Sequence, residues 1–137
     1  GEVISGVEIP LAREASSAYT KLGPRRAMDI AVAGAAVVLT LDRGVVREAA
    51  FALGGAGPTP IRARSAEDYL TGRPPSPEAI SQAGKMAAAG SNPRTSARAG
   101  REYRLSVIPL RLPDLAERCA ASRRYAMNLL NKRHFHW

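Results

Sequence analysis

The chain has 137 residues, a length that suits one domain built around one hydrophobic core. Only 5% of the residues are aromatic, so the core should be packed mainly from small side chains, and the single cysteine, Cys119, excludes an intramolecular disulfide and a cysteine-based zinc site. A lone cysteine fits a reducing compartment, and we expect a cytoplasmic protein.

The formal net charge of +8 is concentrated in residues 98–137, which carry +6 of it. Such a basic end can bind phosphate backbones or anionic membranes, and the simpler interpretation is a solvated or partly disordered end. The few aromatic residues that lie among the basic ones form no evident base-stacking surface. A nucleic-acid-binding module is therefore the least favoured function.

The first residues, GEVISGVEIP, are typical of a short strand or an entering linker, because β-type residues alternate up to Pro10. They lack the unbroken apolar run of a signal peptide, and without an initial Met we expect a cut-out or processed piece. The longest apolar run, residues 30–41, has twelve residues, fewer than the roughly 20 of a membrane-spanning helix. We therefore expect no membrane association.

A β-hairpin is predicted in the middle of the chain, after a short strand at residues 17–23. Residues 30–41 are apolar on both faces of either a helix or a strand, and their many alanines favour a helix. The LDRGVV sequence that follows decides for strands, because Asp42 and Gly44 bound a tight turn and residues 45–53 alternate. We expect residues 28–41 to pair with residues 45–53.

The GGAGPTPIRARS segment after the hairpin is predicted to be a loop, since it is rich in glycine and proline. It does not match a phosphate-binding P-loop, which ends in Gly-Lys-Ser/Thr. In addition, Pro58 and Pro60 lack the backbone N–H groups that such a cradle uses.

Two helices should follow this loop. Ser65 and Asp68 resemble a capping box for a helix over residues 66–70. Ser76 and Gly90 are placed to cap the two ends of a second helix, which has a proline at its first position.

A last helix is predicted over residues 115–131, capped by Asp114, because Pro109 and Pro113 should interrupt any earlier helix. Cys119 lies on its apolar stripe, which favours a buried, inert thiol. Strands followed by helices indicate an α+β fold, with an antiparallel sheet of three to four strands and a helical layer packed on one face.

No self-contained active site is recognisable, so we predict no catalytic residue and no metal site. His134 and His136 have the spacing of two metal ligands on a strand, but no third ligand lies near them in sequence. No Ser/His/Asp grouping is present, and Glu67 with Asp68 is better explained as a helix start than as an acid/base pair.

Four segments together resemble one family. They are Y-x-K-x-G-x-R-R-A-M-D-I-A at residues 19–31, the turn LDRGVV, ALGGAGPTPIRA at residues 52–63, and GRP before the second helix. The chain is similar, over about residues 1–104, to the C-terminal domain of the FAD-binding (medium) subunit of molybdenum hydroxylases, the carbon monoxide dehydrogenase and xanthine dehydrogenase enzymes.

This resemblance implies a domain that is non-catalytic by itself and works beside FAD, which is held mainly by a domain absent from this sequence. Residues 1–15 would be the linker or strand from that FAD domain, residues 16–104 the family domain, and residues 105–137 a divergent basic tail, partly helical. The implied partners are the FAD-binding domain, an iron–sulfur subunit and a molybdopterin subunit, with electrons passing through iron–sulfur clusters and FAD to an acceptor. A detached scaffold without enzyme activity is the alternative.

The resemblance also implies cofactor-facing residues. Lys21 stands at the family's basic position beside the flavin, and Arg26 is placed to contact the FAD domain or phosphates. Asp29 would pair with Arg26 or hold a neighbouring backbone group, and Ile30 would begin the buried strand or touch the flavin ring. Arg47 aligns near a lysine that lies close to the flavin in xanthine dehydrogenases.

The chain departs from the family pattern at several positions. Ser96 and Gly100 stand where the family tends to have Asp and Ser, so we expect the loop that holds them to have lost contacts. Pro109 and Pro113 fall where the family continues as an amphipathic helix, which suggests that the chain after residue 104 is not homologous.

Overall fold

The computed structural model describes residues 1–8, 14–25 and 28–131, with side chains described up to residue 121. The fold consists of one four-stranded antiparallel sheet in the order β1-β2-β3-β4, followed by three helices, which confirms the predicted α+β class. The elements are β1 Ala15–Leu22, β2 Ala33–Asp42, β3 Val45–Gly54, β4 Ile61–Arg62, α1 Arg64–Leu70, α2 Pro77–Ala89 and α3 Arg101–Asn131.

The predicted hairpin is present as β2 and β3, which pair from Asp42↔Val45 to Gly34↔Gly54. The two residues between the strands both have positive φ, 47° at Arg43 and 83° at Gly44, as a two-residue turn matched to strand twist requires. Strand β2 starts at Ala33 rather than at residue 28, because Met28 has a φ of 51° and belongs to the β1–β2 connection.

The two faces of the sheet have different environments. The face that carries Val37, Leu39, Phe51 and Leu53 is fully buried against the helices and forms the core. The alternate residues of β2 and β3 lie on the opposite face, which the helices leave open. The predicted helical layer on one face is thereby confirmed.

The helix ends follow local rules in α2 but not in α1. Ser76 Oγ accepts a hydrogen bond from the backbone N–H of Ala79 at 3.2 Å and Gly90 ends α2, as predicted. The capping box predicted for Ser65 and Asp68 is wrong, since Ala63 is the N-cap of α1 and no side chain caps it. The helix therefore begins two residues earlier than a cap at Ser65 would place it.

Helix α3 runs without interruption from Arg101 to Asn131 and contains both prolines, so the prediction of a helix starting at residue 115 is wrong. Each proline inside a helix costs about 3 kcal/mol. Burying a large aliphatic side chain stabilises by about 1.5–3 kcal/mol, and Ile108, Leu112 and Leu115 are all at most 2% exposed. Burial against the sheet and α2 therefore offsets the local helix-breaking tendency.

Gly84 lets α2 and α3 approach closely at this point. A Cβ atom on Gly84 would lie 3.0 Å from the carbonyl oxygen of Pro109 and 3.4 Å from Cδ of Pro113.

The expected division of the chain at residue 104 falls inside α3, so no structural boundary separates the two parts.

Residues 1–8 form no regular element, and Val3, Ile4 and Val7 are each at least 80% exposed. No strand is thus observed over residues 1–8, and the linker alternative stays a prediction. Among the described residues, none of the helices has the length and apolar character needed to cross a membrane.

Candidate functional site

A cleft of about 490 Å³ lies on the open face of the sheet. Its floor consists of Gly34 and Ala36 from β2 and of Ala52 and Gly54 from β3, which are direct cross-strand neighbours. Because none of these residues carries more than a methyl group, the floor is flat. Volumes of 300–1,000 Å³ are usual for ligand sites.

Tyr19 and Ile30 line the cleft with exposed apolar surface. Tyr19 pairs with Ala36 in the sheet, and its Oη lies 3.4 Å from where a Cβ of Gly34 would be. The phenol ring therefore occupies the space above Gly34. Tyr19 and Ile30 are each 63% exposed, and the neighbouring Met28 is 97% exposed. Exposed apolar residues grouped around a cleft mark a contact surface.

Two of the predicted site residues hold the β1–β2 connection in place at the edge of this cleft. Lys21 Nζ donates a hydrogen bond to the carbonyl oxygen of Asp29 at 2.9 Å. The Asp29 carboxylate accepts from the backbone N–H of Arg25 at 3.0 Å and forms an ion pair with the Arg25 guanidinium at 3.5 Å. The hypothesis that Asp29 holds a neighbouring backbone group is thus confirmed, while Arg26, its other predicted partner, lies outside the described residues.

Ile30 and Arg47 lie in different surroundings from those expected. Ile30 is not part of the buried strand, because β2 begins only at Ala33, and it lines the cleft instead. Arg47 forms an exposed ion pair with Glu14 at 3.2 Å near the hairpin turn. That end of β2 is about 20 Å from the cleft floor at roughly 3.3 Å per strand residue. The structure therefore brings Lys21, Asp29 and Ile30 together and separates Arg47 from them.

Three arginines, Arg94, Arg98 and Arg104, form the basic wall of the cleft. Arg104, in the first turn of α3, is only 4% exposed. It donates hydrogen bonds to the carbonyl oxygen of Val32 and, at 2.9 Å, to Ser96 Oγ. Its Nε is buried without a hydrogen-bond partner in the described part of the chain. The sequence shows this arginine only as part of a polar, basic segment, and its burial depends on a contact 72 residues away.

Gly55 makes room for this arginine. Its φ of +71° favours glycine, and a Cβ atom there would lie 2.6 Å from the carbonyl oxygen of Val32 and 3.0 Å from Nη1 of Arg104. No larger residue at this position is compatible with the observed Arg104–Val32 contact.

Ser96 keeps the loop before α3 ordered, so the expectation that this loop has lost its contacts is wrong. Its hydroxyl accepts from Arg104 Nη2 and from the backbone N–H of Arg98, and its backbone pairs with Ala99 at 3.0 and 3.2 Å. The Ser96 hydroxyl that contacts Arg104 is uncharged, whereas an aspartate at position 96 would place a negative charge there.

Cys119 is a buried thiol, as the sequence indicates. It is 1% exposed, and its Sγ lies 3.7 Å from the carbonyl oxygen of Val37. Burial raises the pKa of Cys119 above its usual value, which disfavours the nucleophilic thiolate. The described residues contain no group of three or more potential metal ligands, and His134 and His136 fall outside them.

Comparison with known proteins identifies similar chains. The protein-family model described as the CO dehydrogenase flavoprotein C-terminal domain matches residues 17–110 of this chain. A xanthine dehydrogenase FAD-binding subunit of Escherichia coli O157:H7 is 37% identical over 92 residues, which cover 67% of this chain and 32% of that protein. The carbon monoxide dehydrogenase medium chain of Afipia carboxidovorans is 33% identical over 122 residues, covering 88% of this chain and 42% of that one.

The fold has solved counterparts as well. The carbon monoxide dehydrogenase of Hydrogenophaga pseudoflava, in a form that lacks the Mo-pyranopterin moiety, contains a chain that superposes with a TM-score of 0.75 at 30% identity. The superposition covers 82% of this chain and 39% of that chain. This chain thus spans between about a third and two fifths of the length of the proteins it matches.

Proposed function

The chain belongs to the CO dehydrogenase flavoprotein C-terminal domain family, and we propose that it covers one side of a flavin held by the FAD domain of the same subunit. The observation that carries this proposal is the open cleft on the sheet, whose flat floor and exposed apolar walls have no covering element in the described chain. The relatives named as FAD-binding subunits are about twice as long as this chain, which leaves room for a separate FAD domain.

The residues of the cleft fit the edge of a planar ring. The Gly34–Gly54 and Ala36–Ala52 pairs provide a surface without protruding side chains, and Tyr19 and Ile30 provide apolar contacts at its sides. The cleft is open to solvent along one side, which fits a cofactor held mainly by another domain.

FAD, when bound there, supplies two-electron redox chemistry. The contribution of this chain is to exclude water from one side and to place the positive charge of Lys21 nearby. Asp29, through its carbonyl oxygen, restrains the Lys21 ammonium group at the edge of the cleft. A cation in this position favours the negative charge that accompanies reduction.

The wider assembly follows from the family. We propose that residues 1–15 lead from the FAD domain and that the complete subunit joins an iron–sulfur subunit and a molybdopterin subunit in the cytoplasm. Electrons would pass from the iron–sulfur clusters through FAD to an external acceptor, and this chain would have no redox activity by itself. The family match continues to residue 110, past the expected boundary at residue 104, and the divergence of residues 105–137 stays a prediction.

A domain exchange tests this function. The C-terminal domain of the Afipia medium chain is replaced by this chain, and a medium chain that lacks the domain serves as the reference. We expect the exchanged subunit to retain FAD with a stable visible spectrum and the truncated one to lose it. Equal FAD loss from both would contradict the proposal and favour a detached scaffold.

The role of Lys21 is tested in the same exchanged subunit. Lys21→Met should make the flavin midpoint potential more negative by on the order of 30 mV, which corresponds to about 1.4 kcal/mol for a two-electron couple. Lys85→Met, which removes an exposed lysine on α2, is the matched control and should leave the potential unchanged. Equal potentials in the two variants would exclude an electrostatic role for Lys21.

A further inference from the structure

We propose that the basic wall of the cleft, Arg94, Arg98 and Arg104, binds a phosphate-bearing anion of the diphosphate class. All three arginines line the cleft, and no aspartate or glutamate is among its lining residues. The wall is therefore a concentration of positive charge inside a concave surface, where the field of the cations is strongest. This inference goes beyond the proposed function, because it depends on the arginines and not on a flavin or a second domain.

Arg104 provides the decisive observation, since it is a buried cation without a counter-charge. It is 96% buried, yet no carboxylate of the described residues lies within 4.0 Å of its nitrogens. Its contacts are the carbonyl oxygen of Val32 and the hydroxyl of Ser96, both neutral, and its Nε has no described partner. Buried charges in proteins are normally paired, so an anion from outside the chain would complete this arrangement.

Arg94 and Arg98 are available to such an anion. Both side chains are exposed, and neither guanidinium forms a hydrogen bond or an ion pair within the described part of the chain. They stand on the loop of residues 92–100, which Ser96 ties to Arg104. The cleft therefore has two exposed cations on this loop beside the buried Arg104.

Phosphate chemistry fits this wall better than a single carboxylate does. The planar guanidinium group matches phosphate oxygens in a bidentate geometry, and three such groups compensate more than one negative charge. Gly54, in the adjacent part of the cleft floor, has no atom nearer than 4.0 Å to the position of a Cβ, so an anion can approach the backbone there. A diphosphate, free or as part of a nucleotide, has both the charge and the length to contact several of the arginines.

Calorimetric titration of the complete chain tests the proposal, with inorganic pyrophosphate, ADP and citrate as probes at one ionic strength. We expect saturable one-site binding of pyrophosphate or ADP and at least tenfold weaker binding of citrate, which has charge without phosphate geometry. Tighter binding of ADP by tenfold or more would assign a nucleotide as the source, and equal binding would assign free diphosphate. Absence of saturable binding of both phosphate probes, or citrate binding as tightly as they do, would overturn the proposal.

Two pairs of variants locate the site. The Arg94→Ala/Arg98→Ala double variant should bind at least tenfold more weakly, while Arg118→Ala, an exposed arginine on α3 away from the cleft, should bind like the parent chain. Ser96→Asp should also weaken binding tenfold without lowering the thermal midpoint, because its carboxylate would pair with Arg104 internally. Ser96→Asn, which is neutral and of similar size, should retain binding.

Equal loss of affinity in the two arginine variants, or unchanged affinity in Ser96→Asp, would refute the site. The titration contains no flavin and no FAD domain, so its failure is distinguishable from a failure of the domain exchange.

Discussion

Replacing Glu67 by glutamine should destabilise the fold strongly, although the two side chains have nearly the same shape. Glu67 is 4% exposed and lies between α1 and the sheet. One carboxylate oxygen accepts from the backbone N–H of Phe51 at 2.8 Å and from Arg62 Nε at 2.7 Å, and the other accepts from Arg62 Nη2 at 2.9 Å. The hydrogen bonds from Arg62 to the Glu67 carboxylate raise the pKa of the Arg62 guanidinium, although burial opposes the effect.

The magnitude follows from the bonds that glutamine cannot make. A hydrogen bond to a charged group contributes about 1.5–3 kcal/mol, compared with about 0.5–1.5 kcal/mol for a neutral one. Glutamine keeps one neutral acceptor for Phe51 but presents an NH₂ group to Arg62 Nη2, which is also a donor. Since the Arg62 side chain is 42% exposed and can turn to water, the loss should be about 2–3 kcal/mol rather than the larger penalty of a fully buried pair.

Urea unfolding followed by circular dichroism measures this loss in the complete chain. With a slope of about 2 kcal/mol per molar urea, the midpoint of Glu67→Gln should fall by about 1 M or more. Asp68→Asn removes the neighbouring exposed carboxylate and should change the free energy of unfolding by no more than about 0.5 kcal/mol. If the two variants unfold at the same urea concentration, the ion pair between Glu67 and Arg62 does not stabilise this fold.

Two further predictions concern Gly55 and Cys119. Gly55→Ala should lower the free energy of unfolding, measured in urea, by about 2 kcal/mol or more, since alanine adds both left-handed backbone strain and a contact of 2.6 Å with Val32. The control Gly44→Ala, at φ +83° with open space around it, should lower it by about 1 kcal/mol from strain alone. Equal losses in the two variants would show that the structure relieves the crowding at Gly55. Because burial raises the pKa of Cys119 in the folded state, its contribution to stability should be present below the usual thiol pKa of about 8.5 and be lost as pH rises through the higher folded-state value. The difference in unfolding free energy between the parent chain and Cys119→Ala, measured from pH 7 to pH 10, should therefore shrink on the alkaline side, and a difference that is constant with pH would contradict the burial argument.

The elements that were predicted correctly depend on neighbouring residues. The β2–β3 hairpin follows from Asp42 and Gly44 because a two-residue turn sets the register of both strands. The second helix follows from Ser76 and Gly90 because capping uses groups within one turn. Such signals are readable along the chain without knowledge of what packs where.

The candidate site was only partly predictable for the same reason. Lys21, Asp29 and Ile30 lie within ten residues of one another. Ile30 lines the cleft, and the hydrogen bond from Lys21 to Asp29 holds the other two residues next to it. Arg47 follows the hairpin turn, so the antiparallel geometry carries it to the opposite end of the sheet. Arg104 was missed because its burial depends on β2 and on Gly55, both far away in sequence.

The sequence by itself determined the family resemblance, the α+β class, the hairpin and the caps of α2, since each of these depends on residue types at short spacing. Only the tertiary structure decided which face of the sheet stays open. Residues 30–41 are apolar on both faces, so their pattern cannot choose between them. Helix α3 covers one of the two faces. It continues through Pro109 and Pro113 because Ile108, Leu112 and Leu115 bury enough apolar surface to offset the free-energy cost of two prolines inside a helix. The same helix places Arg104 beside the uncovered face, and this creates the basic wall of the cleft.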